Sequence, residues 1–210
     1  MDREDRMDRG NTLPASAGTA SETPVTQTVI EHYAQRAHYA QRAGETWQIA
    51  EAIYAPEELA SLPPSVVESA LGLGHPVRDA ELRSGEVVLD IGYGTGIDLL
   101  LAARQVGLAG KVIGLDLTPE MLTRAREHVA QAGLLNVVLL LAAMEEIPLP
   151  DASVDVVISN GVFNLSAKKD QAFAEAFRVL QPGGRMLDAD MLLVADLPPS
   201  LRENPKLWSG

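Results

Sequence analysis

The stretch VLDIGYGTG, residues 88–96, decides the fold of this chain of 210 residues. It joins a predicted strand, Glu86–Ile91, to a predicted helix, Ile97–Gln105. Its first two glycines let the backbone turn tightly and approach a ligand closely, and its third lets the helix begin near the strand. A strand, a glycine loop and a helix in this order predict a ligand-binding turn at the carboxyl end of a strand.

Strands and helices alternate along the chain after this loop. Predicted strands lie at Val112–Asp116, Val137–Leu141, Val154–Ser159 and Arg185–Leu192, and predicted helices at Pro119–Ala132 and Lys168–Leu180. The strands are near-continuous apolar runs, which is typical of a parallel sheet covered on both faces. We therefore predict an α/β fold, a doubly wound, mainly parallel Rossmann-like sheet with helices on both faces.

Local signals set the ends of the helices. Thr118 and Pro119 supply an N-cap and a first helical residue, and Gly133 is placed to end that helix in the left-handed conformation. In the last predicted helix, helical spacing predicts one buried face, made of Phe173, Ala176, Phe177 and Leu180. The Pro-Gly-Gly sequence at residues 182–184 ends that helix.

The first 84 residues lack the alternation of strands and helices. Their polar start, rich in Ser, Thr, Gly and charge, predicts a disordered tail. Predicted helices follow at Val25–Ala43, Pro56–Ser61 and Pro63–Leu71, before the loop LGLGHP at residues 71–76. The first helix contains HYAQRA twice in succession, which places Tyr33 and Tyr39 on different faces. We divide the chain into a tail (1–24), a helical lid (25–84) and a Rossmann-like domain (85–210).

Composition argues against several classes of function. The net charge of -12 leaves no basic surface for phosphates, so we expect no nucleic-acid partner. The chain has no cysteine, which excludes disulfides and thiolate metal sites, and we expect no bound metal. The apolar runs are too short to span a bilayer and the start is not a signal peptide, so we expect a cytoplasmic protein without a membrane partner.

The spacing of the glycine loop distinguishes two classes of ligand. A dinucleotide fingerprint requires Gly or Ala where this chain has Ile97. The spacing Gly-x-Gly-x-Gly shortly after Asp90 is instead typical of sites for S-adenosylmethionine (SAM). Asp116, at the end of the second strand, can accept hydrogen bonds from both ribose hydroxyls, or alternatively caps the following helix. We expect Asp90 to support the amino group of SAM indirectly; the alternative is a structural acid bonded to amides of the loop.

Motifs from Tyr54 onward resemble a known family over residues 54–208. They are YAPEELASLPPSVVESALGLGHP, GEVVLDIGYGTGIDLLLAARQVG, GKVIGLDLTPEML, IPLPDASVDVVISNGVFNLS and FRVLQPGGR. The glycine loop and RVLQPGGR resemble class I SAM-dependent methyltransferases in general. The run ISNGVFNLS together with LGLGHP resembles their arsenite methyltransferase-like branch.

The resemblance implies roles for individual residues. The implied cofactor-binding residues are Asp90, Gly92, Tyr93, Gly94, Gly96, Asp116, Leu117, Met144, Glu145 and Asn160. Among them, the glycines would line the methionine portion of SAM, and Leu117 and Met144 would flank the adenine. Asn160 would lie near the reacting methyl group. The residues implied for the substrate side are Leu73, His75, Gly161, Tyr33 and Tyr39, the two tyrosines on a lid helix.

Several positions depart from the family pattern. The family binds trivalent arsenic through cysteine thiolates, because a soft centre prefers soft sulfur ligands. Leu73 and Gly161 stand at two of those cysteine positions, so we do not expect arsenite methylation by the usual route. Ala142 and Ala143 stand where an acid often binds the adenine amino group. Asp188 replaces an apolar residue, so it must find a partner, shift its pKa or face an opening.

No strong catalytic base is evident from the sequence. His75 is the best placed histidine, whereas His32, His38 and His128 are predicted to lie on helix surfaces. Three hypotheses follow: a methyltransferase of this branch with another small-molecule substrate, a quinone-biosynthesis-type C-methyltransferase, or a SAM-binding protein without catalysis. The chain ends soon after the fifth strand, so we expect the last strands of the family's sheet to be missing. Three explanations follow for the open edge: residues 195–210 fold over it, a second subunit covers it in a homodimer, or the chain is truncated.

Overall fold

The computed structural model describes residues 24–39 and 45–194. Its helices are α1 (Pro24–Tyr39), α2 (Glu45–Ile53), α3 (Pro56–Ala60), α4 (Pro64–Val67), α5 (Pro76–Asp79), α6 (Ile97–Val106), α7 (Pro119–Ala132) and α8 (Lys169–Val179). Its strands are β1 (Val87–Ile91), β2 (Lys111–Asp116), β3 (Val137–Leu141), β4 (Val154–Asn160) and β5 (Leu180–Ala189), with a 3-10 turn at Phe163–Leu165. The tail predicted for residues 1–24 lies outside the described residues, apart from Pro24.

The five strands form one parallel sheet in the order β3-β2-β1-β4-β5. The chain moves outward from β1 to β3, then returns to the other side of β1 to form β4. Asp90 in β1 pairs with Gly114 in β2 and with Ile158 in β4, so the carboxyl ends of these strands lie at the same edge. The reversal at β1 is the topological switch point, where open α/β sheets bind ligands.

Both faces of the sheet are covered by helices. Neighbouring residues Val88 and Leu89 of β1 point to opposite faces, and both are fully buried. Val88 packs in a core with Leu99 and Leu100 of α6, whereas Leu89 packs with Ala176 of α8. The doubly wound Rossmann-like fold predicted from the apolar strands is therefore confirmed.

The buried face of α8 was predicted correctly only in part, because Ala176 is buried but the two predicted phenylalanines are exposed. Its fully buried residues are Ala172, Ala176 and Val179. Phe173 is only partly covered, with its ring stacked on Phe163, and Phe177 is 80% exposed. The small alanine side chains let the helix lie close to the sheet, which helical spacing of large apolar residues alone does not indicate.

The N-terminal region and β5 also differ from prediction. Helices α2 and α5 were not predicted, and α4 ends at Val67 rather than at Leu71. Strand β5 already begins at Leu180. The Pro-Gly-Gly sequence lies in a register irregularity of β5, between the residues that pair with Val154 and Val156 of β4. The strand ends at Ala189 instead of Leu192.

Two features frame the site. Helix α1 packs against α7. Strand β5 pairs only with β4 within the described part of the chain, so its other edge is open there. The homodimer expected over that edge stays a prediction, which light scattering tests. None of the described helices is long and apolar enough to cross a membrane.

Candidate active site

A cleft of about 830 Å³ lies at the carboxyl edge of the sheet, between the strand ends and α1. Residues of its lining that were predicted for the site are Tyr33, Leu73, Asp90, Gly92, Tyr93, Gly94, Asp116, Leu117, Met144, Glu145, Asn160 and Gly161. Gly96 and His75 are not part of the lining. The side chain of Tyr39 lies outside the described residues. The volume is in the range of small-molecule sites.

The glycine loop has the backbone conformation that its sequence predicts. Gly92, Gly94 and Gly96 have φ of +75°, +53° and +102°, which disfavour other residues. A Cβ atom on Gly92 would lie 2.3 Å from Val162. A Cβ atom on Gly94 would instead point into open space, with the Gly92 carbonyl at 4.0 Å as its nearest neighbour. The backbone at Gly94 therefore forms an open cradle in the cleft.

His128 holds this loop, and it is buried rather than on a helix surface as predicted. His128 of α7 is only 3% exposed, and its Nδ1 donates a 2.7 Å hydrogen bond to the Thr95 carbonyl. The Thr95 hydroxyl donates to the Ser69 carbonyl. His32 is partly buried, and the side chain of His38 lies outside the described residues. The burial of His128 accompanies its hydrogen bond to Thr95. Helical spacing does not indicate such a contact between distant parts of the chain.

The geometry of Asp116 is compatible with both predicted roles, capping of α7 and binding of a ligand hydroxyl. Its Oδ1 accepts a 2.9 Å hydrogen bond from the Thr118 amide at the start of α7, while the Thr118 side chain makes no capping bond. Its Oδ2 accepts a 3.0 Å hydrogen bond from the Gly94 amide. Burial raises its pKa despite these bonds. Each carboxylate oxygen can accept a further bond, so the cleft side remains available to a ligand hydroxyl.

Asp90 is a buried carboxylate that lacks a complete set of partners. It is 3% exposed, and its Oδ2 has no hydrogen-bond partner. Burial raises its pKa well above the ordinary value, and the nearby carboxylates of Asp98 and Asp116 raise it further. Leaving a buried polar atom unpaired is costly. A cationic ligand in the cleft would relieve this cost.

Asp98 is the main site residue that sequence analysis missed. It lies in the first turn of α6 and is 5% exposed. Its Oδ1 accepts a 3.0 Å hydrogen bond from the Tyr54 hydroxyl, and its Oδ2 accepts a 2.9 Å bond from the Asn160 amide. Burial raises its pKa to about 6, although both bonds favour the charged form. The only signal in the sequence was an acidic residue directly after Ile97, and such a residue is also favourable at any helix N-terminus.

Asn160 anchors the loop that carries Leu73. Its Oδ1 accepts hydrogen bonds from the amides of Leu73 (2.7 Å) and Gly74 (3.3 Å), and its Nδ2 donates to the Gly74 carbonyl (2.8 Å). With Asp98 also bound, the side-chain amide has protein partners on both of its polar atoms. Asn160 lines the cleft, but its geometry is that of a residue that positions the loop.

Leu73 and Gly161 face each other across this part of the cleft. A Cβ atom on Gly161 would lie 3.6 Å from Cδ1 of Leu73. Gly161 has φ of +73°, and its amide donates a 2.8 Å hydrogen bond to the Ala189 carbonyl. The two positions where the family resemblance implies cysteines are thus neighbours. In this chain they form an apolar contact.

His75 has partners on both ring nitrogens away from the cleft lining. Its Nε2 lies 3.0 Å from the carboxylate of Glu58, and its Nδ1 accepts a hydrogen bond from the Arg78 amide at the start of α5. The ring packs on Tyr54, with 4.7 Å between centroids. These contacts account for His75 as a residue that caps α5 and packs beside the Tyr54–Asp98 pair.

The remaining positions singled out in the sequence include residues of the cleft lining and Asp188, which is not part of it. Leu117, Ala142 and Met144 line the cleft, where Ser166 holds the carboxylate of Glu145. The ring of Tyr93 packs directly on Gly114, since a Cβ atom on Gly114 would lie 2.7 Å from that ring. Asp188 faces an opening on β5, and partial burial together with Asp190 raises its pKa to about 6.

The described residues contain no group of three His, Asp or Glu side chains that could hold a metal ion. At the glycine loop, the polar groups of the cleft are instead carboxylates and backbone amides. Such a set suits a ligand that carries hydroxyl groups and positive charge, and the three carboxylates Asp90, Asp98 and Asp116 lie together at the glycine loop.

Comparisons with known proteins agree with this architecture. The family described as "Methyltransferase domain" matches residues 82–210. An arsenite methyltransferase of Halobacterium salinarum is 44% identical over 140 residues, 67% of this chain and 36% of that protein. A ubiquinone/menaquinone biosynthesis C-methyltransferase of Marinomonas is 38% identical over 115 residues, 54% of this chain and 45% of that protein. The chain therefore spans less than half the length of these curated relatives.

Solved structures give the same picture. The arsenic(III) SAM methyltransferase of Chlamydomonas reinhardtii has a TM-score of 0.64 and 38% identity, over 72% of this chain and 53% of that one. A SAM-dependent methyltransferase from Aquifex aeolicus has a TM-score of 0.53 and 28% identity, over 73% and 79%. The chain belongs to the methyltransferase-domain family, in the arsenite methyltransferase-like branch of the class I SAM-dependent methyltransferases.

Proposed function

We propose that this protein transfers a methyl group from SAM to a small molecule. The observation that carries the proposal is the meeting of three features in one cleft at the switch point of the sheet. They are the open backbone cradle at Gly94, the Asp116 carboxylate bonded to that backbone, and the unpaired oxygen of buried Asp90.

These features fit SAM. The Asp116 carboxylate would hold the ribose hydroxyls, and Leu117 and Met144 would pack against the adenine. The cradle at Gly94 would take the methionine portion, whose cationic groups suit Asp90. When bound, SAM supplies a methyl group on a positively charged sulfur, which makes that methyl an electrophile.

The chain itself contributes alignment and exclusion of water. Methyl transfer needs a nucleophile lone pair held in line with the methyl group, and positioning of this kind accounts for a large part of catalysis. Asn160 and Asp98 fix the Leu73 loop at the edge of the cleft. Tyr33 and other residues of α1 also line the cleft. No described histidine lines the cleft to act as a base.

Arsenite is not the substrate that this site favours. The curated relatives include arsenite methyltransferases, but this chain has no cysteine, and Leu73 and Gly161 form an apolar contact where thiolates would be needed. The relatives in quinone biosynthesis support a second candidate, C-methylation of an apolar ring, and the exposed leucines at the cleft favour it. The cytoplasmic location predicted from the sequence stays a prediction.

Calorimetry with SAM, its demethylated product and NAD tests cofactor choice first. We expect SAM and its product to bind and NAD to fail. We expect Asp116→Ala to weaken SAM binding by a factor of about ten or more, since a charged hydrogen bond is lost, while Asp79→Ala, an exposed control, leaves it unchanged. Labelled SAM is then tested for methyl transfer to arsenite with thiol and to a metabolite panel. Binding without any turnover would favour a SAM-binding protein without catalysis.

A further inference from the structure

Large apolar side chains are exposed at the mouth of the cleft. Within the described residues, ten large hydrophobic side chains are exposed: Ile49, Leu73, Leu108, Leu135, Phe173, Phe177, Met191, Leu192, Leu193 and Val194. Half of them, Ile49, Leu73, Met191, Leu192 and Leu193, line the cleft. Such a concentration is not expected of scattered surface residues and marks a binding surface.

We call these five side chains of the cleft lining the apolar rim (Ile49, Leu73 and Met191–Leu193). Leu73 borders Gly161, and the Gly161 amide binds the carbonyl of Ala189 at the end of β5. The side-chain amide of Asn164 donates a 2.5 Å hydrogen bond to the Met191 carbonyl. The segment after β5 is thereby held beside the Leu73 loop.

Two charged residues near the rim, Asp190 and Lys169, already have protein partners. Asp190 accepts hydrogen bonds from the amides of Asn164 (2.9 Å) and Met191 (2.7 Å). The Lys169 ammonium donates to the carbonyls of Asn164 and Ser166, and burial lowers its pKa. Arg36 also lines the cleft, on the side of α1. The carboxylates Asp90, Asp98 and Asp116 lie at the glycine loop, where the cofactor is proposed to bind.

We propose that the apolar rim binds the methyl acceptor, and that the acceptor is an uncharged, largely apolar molecule such as an aromatic ring with hydrocarbon substituents. This inference rests on the proposed function. The acidic end of the cleft suits the cationic cofactor, and the apolar end removes apolar surface of the acceptor from water. An anionic acceptor would find no unpaired basic group within the rim itself.

Two fluorescent probes of similar shape test the inference on the full chain saturated with demethylated SAM. N-phenyl-1-naphthylamine is uncharged, whereas 8-anilinonaphthalene-1-sulfonate carries a negative charge. We expect the uncharged probe to bind with enhanced fluorescence and the anionic probe to bind at least about tenfold more weakly. Equal or tighter binding of the anionic probe would overturn the inference.

Matched variants locate the probe site. Leu192 and Leu135 are 88% and 87% exposed, but only Leu192 lines the cleft. We expect Leu192→Gln and Leu73→Gln to weaken binding of the uncharged probe about five- to tenfold, as loss of one apolar contact predicts, and Leu135→Gln to leave it unchanged. An equal effect of Leu135→Gln would overturn the inference.

Calorimetry with demethylated SAM on the same samples separates the two proposals. If that compound does not bind, the proposed function fails. If it binds but the full chain excludes the uncharged probe, only the acceptor inference fails, because another part of the chain then covers the rim.

Discussion

The side-chain amide of Asn160 donates a 2.9 Å hydrogen bond to Asp98 and thereby joins the end of β4 to the first turn of α6. The same amide holds the loop of Leu73 through its carbonyl oxygen. The Tyr54 hydroxyl completes the contacts of Asp98. The wall of the cleft that contains Leu73 is therefore tied to the same carboxylate that lies beside the glycine loop.

Asn160→Ala is expected to free the Leu73 loop. The change leaves the Leu73 amide and the Gly74 carbonyl without their partner, and we expect the free energy of unfolding to fall by about 2 kcal/mol. Hydrogen exchange at the amides of Leu73 and Gly74 should become faster.

Asn136→Ala is the matched control for this variant. Asn136 donates to the carbonyls of Ala103 and Gly107, on the opposite side of the sheet from the strand carboxyl ends. A similar loss of stability is expected, with exchange at Leu73 and Gly74 unchanged. If both variants accelerated exchange at those two amides equally, Asn160 would have no specific role in holding the loop.

The raised pKa of Asp98 predicts a pH-dependent cost to stability. In the folded protein the pKa is about 6, against an ordinary value of 3.8. The folded state thus binds the proton more tightly, so its contribution to stability is present below pH 3.8 and is lost as pH rises through 6. Relative to Asp98→Asn, the wild type should lose on the order of 2 kcal/mol between pH 4 and pH 7.

Urea unfolding across this pH range measures the difference between wild type and Asp98→Asn. Asp79→Asn is the control, because Asp79 is exposed and its ion pair with Arg78 lowers its pKa. That variant should not show a relative gain as pH rises. A pH-independent difference between wild type and Asp98→Asn would mean that Asp98 does not titrate in this range.

Variants of two glycines distinguish the effect of backbone strain from the effect of contact with the ligand. Gly94 and Gly133 both have positive φ, and neither has an atom closer than 4.0 Å to an added Cβ. Replacing either by Ala should therefore cost a similar amount of stability, about 1 kcal/mol. Only Gly94→Ala places a methyl group in the proposed SAM cradle.

Calorimetry with SAM reads out the difference between these variants. We expect Gly94→Ala to weaken SAM binding about tenfold or more, and Gly133→Ala, at the end of α7, to leave it unchanged. Unimpaired SAM binding by Gly94→Ala would place the cofactor elsewhere in the cleft.

The parts of the site that sequence reasoning predicted are those set by local pattern. The glycine loop and Asp116 follow from residues next to one another along the chain and from the ends of apolar strands. The Asp98–Asn160 bond joins residues 62 positions apart, and the Asn160–Leu73 bond spans 87. His128 was misplaced for the same reason, since its partner Thr95 is 33 positions away. Polar pairs of this kind depend on the tertiary fold, which no local spacing encodes.

The Leu73–Gly161 contact predicts that thiols introduced there will capture arsenite. A Cβ atom on Gly161 lies 3.6 Å from the Leu73 side chain, so two thiolates at these positions could share one trivalent arsenic, a soft centre that prefers sulfur. We expect the double variant Leu73→Cys/Gly161→Cys to bind one arsenite per chain, measured by elemental analysis after gel filtration. The positive φ of Gly161 should cost about 1 kcal/mol of stability without preventing folding.

Three comparison variants make this prediction specific. Each single substitution supplies one thiol and should retain little arsenite. Leu73→Cys/Leu135→Cys supplies two thiols, but Leu135 precedes β3 at the opposite edge of the sheet from Leu73. This pair should therefore behave like the single variants. If it retained as much arsenite as Leu73→Cys/Gly161→Cys, capture would reflect thiol number alone. The absence of cysteine from this cleft would then be no argument against arsenite as the substrate.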